Sequence, residues 1–178
     1  MAKVITFSRI FPKYHPKAGL GTFFVEQILN SLKIDFRDIK YQNTLMLLNI
    51  RHLNDGKLTE DDIVRFRCSL ATAEYEHKLH TMRAGERFKE GEKFSPRVWS
   101  GTPYDSPQII FAPEQVVFKT YPVQLINSLF LIHGKNIDLE ILQRVIENDG
   151  FCDVDDFYSW FYDDFEGQII AWDKNVNY

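Results

Sequence analysis

Apolar positions along the chain follow two rhythms, one of period two and one of period three to four, and the changes between them mark out the elements. Val4-Ile5-Thr6-Phe7-Ser8 has the β-branched pattern of a strand. A loop follows, punctuated by Pro12, Pro16 and Gly19. Thr22 is placed to cap a helix through Phe23, Phe24, Gln27 and Ile28. From Lys78 onward the pattern predicts short strands over 78–83, 93–101, 108–111, 116–125 and 128–133. Pro96 would assign its strand to a sheet edge or a bulge, because proline lacks the ladder N–H. Asp138 caps a helix through Leu142, Val145 and Ile146, stopped by Asn148-Asp149-Gly150. Gly150 is expected there in the left-handed conformation, with Phe151 packing back. Asp153 caps a second helix through Phe157, Trp160 and Phe161, ended by Gly167, and 168–172 reads as a last strand.

The stretch from about 35 to 76 breaks this order. Ile39, Leu45, Met46, Leu47, Leu48 and Ile50 fit a helix or a strand. Thr59-Glu60-Asp61-Asp62 is a capping box with Asp in place of Glu, and Ile63, Phe66, Leu70 and Ala73 follow at helical spacing. The segment reads as a helical insertion. Five or six short strands with a few helices predict an α+β fold, a small mixed β-barrel with flanking helices.

Composition narrows the class. A chain of 178 residues makes one ordinary domain. Its 15 Phe, 8 Tyr and 3 Trp supply enough bulk for a packed core, which excludes a mainly disordered chain. No apolar run approaches the roughly 18 residues of a membrane span, and Lys3 and Arg9 interrupt the start where a signal peptide needs an apolar stretch. Two cysteines, Cys68 and Cys152, cannot form a disulfide framework or a four-thiolate zinc site. A reducing cytoplasm is the expected compartment.

Charge alters this picture. The net charge is −4, yet residues 1–100 carry 17 Lys or Arg against 12 Asp or Glu, and residues 101–178 carry 4 against 13. The basic half leaves room for a face that meets a phosphate backbone.

Two groups of residues can carry chemistry. In Lys78-Leu79-His80-Thr81-Met82-Arg83, strand alternation puts Thr81 and Arg83 on one face and Lys78 on the other. A turn or bulge before Thr81 would bring Lys78 beside it, where a lysine with a lowered pKa can act as base for the hydroxyl. Arg83 can then hold a phosphate or a base edge. The plain alternative is a solvated surface strand. In Glu147-Asn148-Asp149-Gly150-Phe151, the helix-end reading leaves either carboxylate able to face a site. Trp99, Tyr104 and Phe111 can stack on a base or fill the core. The five histidines show no ligand spacing, and the acids from Asp153 to Glu166 fit no calcium loop. No metal or cofactor is expected.

Taken in order, Val4-Ile5-Thr6-Phe7, the Lys-x-x-Thr-x-Arg run 78–83 and Phe88-Lys89-Glu90-Gly91-Glu92-Lys93-Phe94 resemble an ASCH domain. Asn148-Asp149-Gly150-Phe151 and Gly167-Gln168-Ile169-Ile170 extend the resemblance, which covers about 3–30 and 78–172 and skips the insertion. It implies a PUA-like β-barrel that binds RNA or a modified nucleoside. One group of the family hydrolyses N4-acetylcytidine with a lysine base, a threonine nucleophile and a carboxylate acid. Carried over, these are Lys78, Thr81 and Asp149, with Glu147 as the alternative acid. Other members bind or cleave RNA, which implies phosphate contacts from Arg83, Arg97 and Lys93, with Arg9 and Trp99 beside them. A third expectation is a protein-interaction module whose partner docks on residues 36–76 and the acidic helices.

Overall fold

The computed structural model describes residues 2–34, 76–161 and 164–178. The expected insertion, with its helix after Thr59, lies outside the described residues apart from Glu76.

The described chain forms two separate sheets and three helices. The first sheet holds β1 (Lys3–Thr6), β3 (Lys93–Trp99), β4 (Gln108–Ile110) and β5 (Gln115–Val116). Strand β1 runs parallel to β3, and β4 and β5 pair antiparallel with its other edge. The second sheet has the order β2-β9-β6-β7-β8, comprising β2 (His80–Ala84), β6 (Lys119–Ile126), β7 (Leu129–Ile132), β8 (Lys135–Asn136) and β9 (Phe165–Ala171). Helix α1 (Phe24–Ser31) follows the N-terminal loop, and α2 (Leu139–Asn148) and α3 (Val154–Trp160) lie between β8 and β9.

The α+β expectation holds, but neither sheet closes into a barrel among the described residues. Strands β1 and β2 are the facing edges of an open seam. Arg83 spans it: Nη2 donates to the Thr6 carbonyl at 2.7 Å.

Strand β9 explains the stacking. Its run of apolar residues is buried on both faces, as expected of a strand covered on two sides. Ile170 and the following Trp172 join one core with Ile5, Phe94 and Val98 of the first sheet and Val25, Ile28 and Leu29 of α1. Ile169 and Ala171 join a second core with Val145 and Ile146 of α2 and Phe157 of α3. Phe24 belongs to this second core, so α1 is wedged between the two.

Local expectations met three corrections. Pro96 lies in the central strand of its sheet, beside Ile5. On its other edge β4 pairs 97–99 and β5 pairs 93–94, and Pro96 lies just past the end of the β4 pairing, where its carbonyl still accepts from Phe111 N at 3.4 Å. Thr22 does not supply a close helix cap. Its hydroxyl donates to the Ser8 carbonyl at 2.8 Å, and Phe23 stands at the N-cap with φ +58°. Gly167 ends no helix; it sits inside β9, where a Cβ would lie 2.1 Å from the Arg83 carbonyl oxygen. The caps at Asp138 and Asp153 are present, accepting from Ile141 N and Asp155 N, each at 2.8 Å. Among the described residues no helix is long and apolar enough to cross a membrane.

Candidate functional site

The C-terminus of α2 sets the site. Gly150 N bonds the Glu147 carbonyl at 2.8 Å and Phe151 N bonds that of Ile146 at 3.1 Å. These two bonds make a Schellman turn, with Gly150 at φ +84°. A Cβ at Gly150 would lie 2.2 Å from Gln27 Oε1, so any other residue would have to displace the Gln27 side chain as well as adopt the left-handed backbone. The turn leaves Asp149 buried while Glu147, two residues back, stays exposed and bonded to Gln143 at 2.8 Å.

Residues 76–79 reach this turn before β2 begins. Lys78 N donates to the Gln27 carbonyl, and Leu79 N donates at 2.8 Å to the Asn148 carbonyl, one of the acceptors that a helix end leaves open. Lys78 is thereby held outside the strand pleat, which answers the alternation that would have turned it away from Thr81. Its Nζ donates to both the main-chain carbonyl and Oδ1 of Asp149. It also lies 4.2 Å from the centre of the Phe24 ring. The C-terminal end of α2 favours a cation there. Asp149 Oδ2 accepts from Met82 N at 3.3 Å.

A cleft of about 200 Å³ opens over this pair. Thr81 and Arg83 line it from β2, on the face that their register with Ile170 and Gln168 gives them. Its walls are aromatic: Phe7, Phe24, Trp99, Phe151, Trp160 and Phe161. Strand β1 and its continuation add Thr6 and Ser8. The Thr81 hydroxyl makes no hydrogen bond to Lys78 or Asp149 among the described contacts.

Burial dominates the electrostatics. It pushes Lys78 down to about 8 despite the opposing pull of Asp149, and the charge of Arg83 pushes the same way. It pushes the Asp149 carboxyl up, with Lys78 and Arg83 opposing. Arg83 is also lowered by burial. His80, buried at the start of β2 against the Tyr178 ring, is held well below its ordinary range by burial and by Lys78, and so stays neutral. Both proton-bearing members of the floor are therefore drawn toward their neutral forms. Such a pair can exchange a proton between its members and can donate to or accept from a polar ring edge.

The structure brings together Lys78, Thr81, Arg83, Asp149 and Trp99. Glu147 faces away. Arg97 is committed to Ser95 Oγ at 3.2 Å and Gln108 Oε1 at 3.3 Å. Lys93 is exposed at the far end of β3 from Trp99, about 20 Å away at strand rise. Arg9 is half-buried near Glu26, and burial lowers it to about 10. Phe111 packs in the core beside Phe7, with ring centres 5.8 Å apart. Sequence reasoning found Trp99 but missed the rest of the aromatic wall, whose members come from separated segments. Phe23-Phe24 and Trp160-Phe161 were visible as pairs, but nothing local aims them at Lys78. Among the described residues no cluster of His, Cys, Asp and Glu could hold a metal ion. No protein-family model, curated protein or solved structure matches this chain.

Proposed function

We propose that the cleft binds a single nucleobase, as a modified nucleoside or within RNA, in an ASCH-like, PUA-like fold. The observation that carries this reading is a buried lysine–carboxylate floor enclosed by six aromatic side chains. Aromatic faces stack on any base, and a buried donor and acceptor read its edge. At about 200 Å³ the cleft falls below the roughly 300–1,000 Å³ of drug-sized sites, which suits one ring with a short substituent. Lys78 commits two of its three protons to Asp149, leaving one for a ligand. The test is calorimetric titration with N4-acetylcytidine and unmodified cytidine. Saturable binding that Lys78→Ala removes supports the reading; no binding of either, or binding indifferent to Lys78, counts against it.

Amidohydrolysis is the second reading, favoured by the lowered Lys78 beside a buried threonine hydroxyl. Lys78 would release Asp149 and take the Thr81 proton as Oγ adds to the acyl carbon. The C–N bond would then break, with a proton passing from Asp149 to the departing amine. Water would free the acid from Thr81 and restore both groups. Thr81→Ala is expected to abolish release of cytidine, read by chromatography, with binding retained. Unchanged release would remove Thr81 from the reaction.

A further inference from the structure

The open seam between β1 and β2 does not end at the base cleft. Arg83 and Thr6 line that cleft on one side and a second concavity of about 310 Å³ on the other. Along β1 the lining passes from Ser8 at the cleft through Thr6 to Val4 in the second concavity. Along β2 and its continuation it passes from Thr81 through Arg83 to Arg87. From Val4 to Ser8 this is a path of about 13 Å at strand rise, longer than the 3.4 Å or so per nucleotide of a stacked strand.

The second concavity has a lining suited to a phosphate and a ring. No carboxylate lines it. Arg87 is exposed, and its guanidinium has no described hydrogen bond or ion pair, since its main chain alone bonds Gln168 and Lys3. Tyr104 is 88% exposed, has φ +70°, and lies 5.3 Å from the Trp99 ring, which lines the first cleft. A tyrosine ring held out in water against Trp99, beside a basic groove, extends the aromatic surface of the cleft as a stacking platform.

We infer that the seam carries the strand flanking the bound base, so that the ligand is single-stranded RNA rather than a free nucleoside. This rests on the nucleobase reading of the cleft. The neighbouring phosphate meets Arg87, and the neighbouring base stacks on Tyr104.

The test compares, by titration at two salt concentrations, N4-acetylcytidine with a six-nucleotide RNA carrying one such residue. The RNA is expected to bind at least tenfold more tightly, by an advantage that shrinks with salt. Arg87→Ala should remove most of this advantage and leave nucleoside affinity unchanged; Tyr104→Ala should weaken RNA binding. Both side chains are exposed, and thermal melts check that the variants fold. Equal affinity for nucleoside and RNA would overturn the seam while leaving the base cleft standing, as would an equal loss for both ligands in Arg87→Ala. Binding of neither ligand would overturn both.

Discussion

Two lysines of this protein have the same set of partners and opposite meanings. Lys3 Nζ bonds Glu92 at 2.6 Å and the Arg87 carbonyl at 2.5 Å, over the Phe88 ring at 5.1 Å. Lys78 Nζ bonds the Asp149 carboxylate and carbonyl over the Phe24 ring. Each pair joins distant parts of the chain. Exposure separates them: the side chains are 43% and 34% exposed in the first pair and 2% and 3% in the second. In water the pair lowers the Glu92 carboxyl, as an ion pair should. In the core, burial overrides pairing and drives both partners toward neutrality. A buried pair of this kind is weak as a source of stability and useful as a source of protons.

The largest effect should come from breaking the buried pair. Lys78→Met leaves Asp149 uncompensated and is expected to cost about 3–5 kcal/mol in urea unfolding. Lys78→Met with Asp149→Leu should recover most of that loss. A double variant no better than the single one would mean that the pair itself stabilises the fold.

Gly150→Ala comes next. It forces a side chain into a left-handed backbone and against Gln27, for an expected loss of about 1–3 kcal/mol. An unfolding midpoint equal to the wild type would show that the close approach of α1 and the turn is not required.

The pH response sharpens the comparison further. With Lys78 near 8 in the fold and about 10.4 when unfolded, the unfolded chain binds more protons between those values. Its contribution therefore makes stability rise with pH over that window. Asp149 acts in the opposite sense at lower pH. Its carboxyl is raised in the fold, so its contribution falls as pH climbs from the unfolded value near 3.9. Turnover by neutral Lys78 with protonated Asp149 needs one proton on the pair and should fall as pH climbs through about 8, and a rate still rising from pH 7 to 9 would exclude that use.

The smallest effect belongs to the exposed pair. Glu92→Gln should leave the thermal midpoint near the wild type, with any difference vanishing in salt. A large drop would mean that the Lys3 corner anchors β1 more firmly than its exposure indicates.

How much was legible beforehand follows from the range of each cause. The caps at Asp138 and Asp153 and the turn at Gly150 depend on residues within three or four positions, and the pattern showed them. The strand at 78–83 was visible too, but its first two residues dock on helices instead, Lys78 N on the Gln27 carbonyl of α1 and Leu79 N on the Asn148 carbonyl at the end of α2. Pro96 misled because a local rule cannot know that the regular β4 and β5 pairings both stop short of it. Gly167 misled for a similar reason: its cause is the Arg83 carbonyl across the ladder, 84 positions away.

The sequence by itself determined the α+β character, most of the strands and two of the helix starts, since period and capping are written in neighbouring side chains. It also singled out Lys78, Thr81 and Asp149 as candidates through their order. Only the tertiary structure chose Asp149 over Glu147, set the lysine against it and raised aromatic walls around both. It also left the two sheets open along a seam instead of closed into a barrel. Those outcomes depend on which groups lose water together, and burial is a property of the packed chain rather than of any one segment.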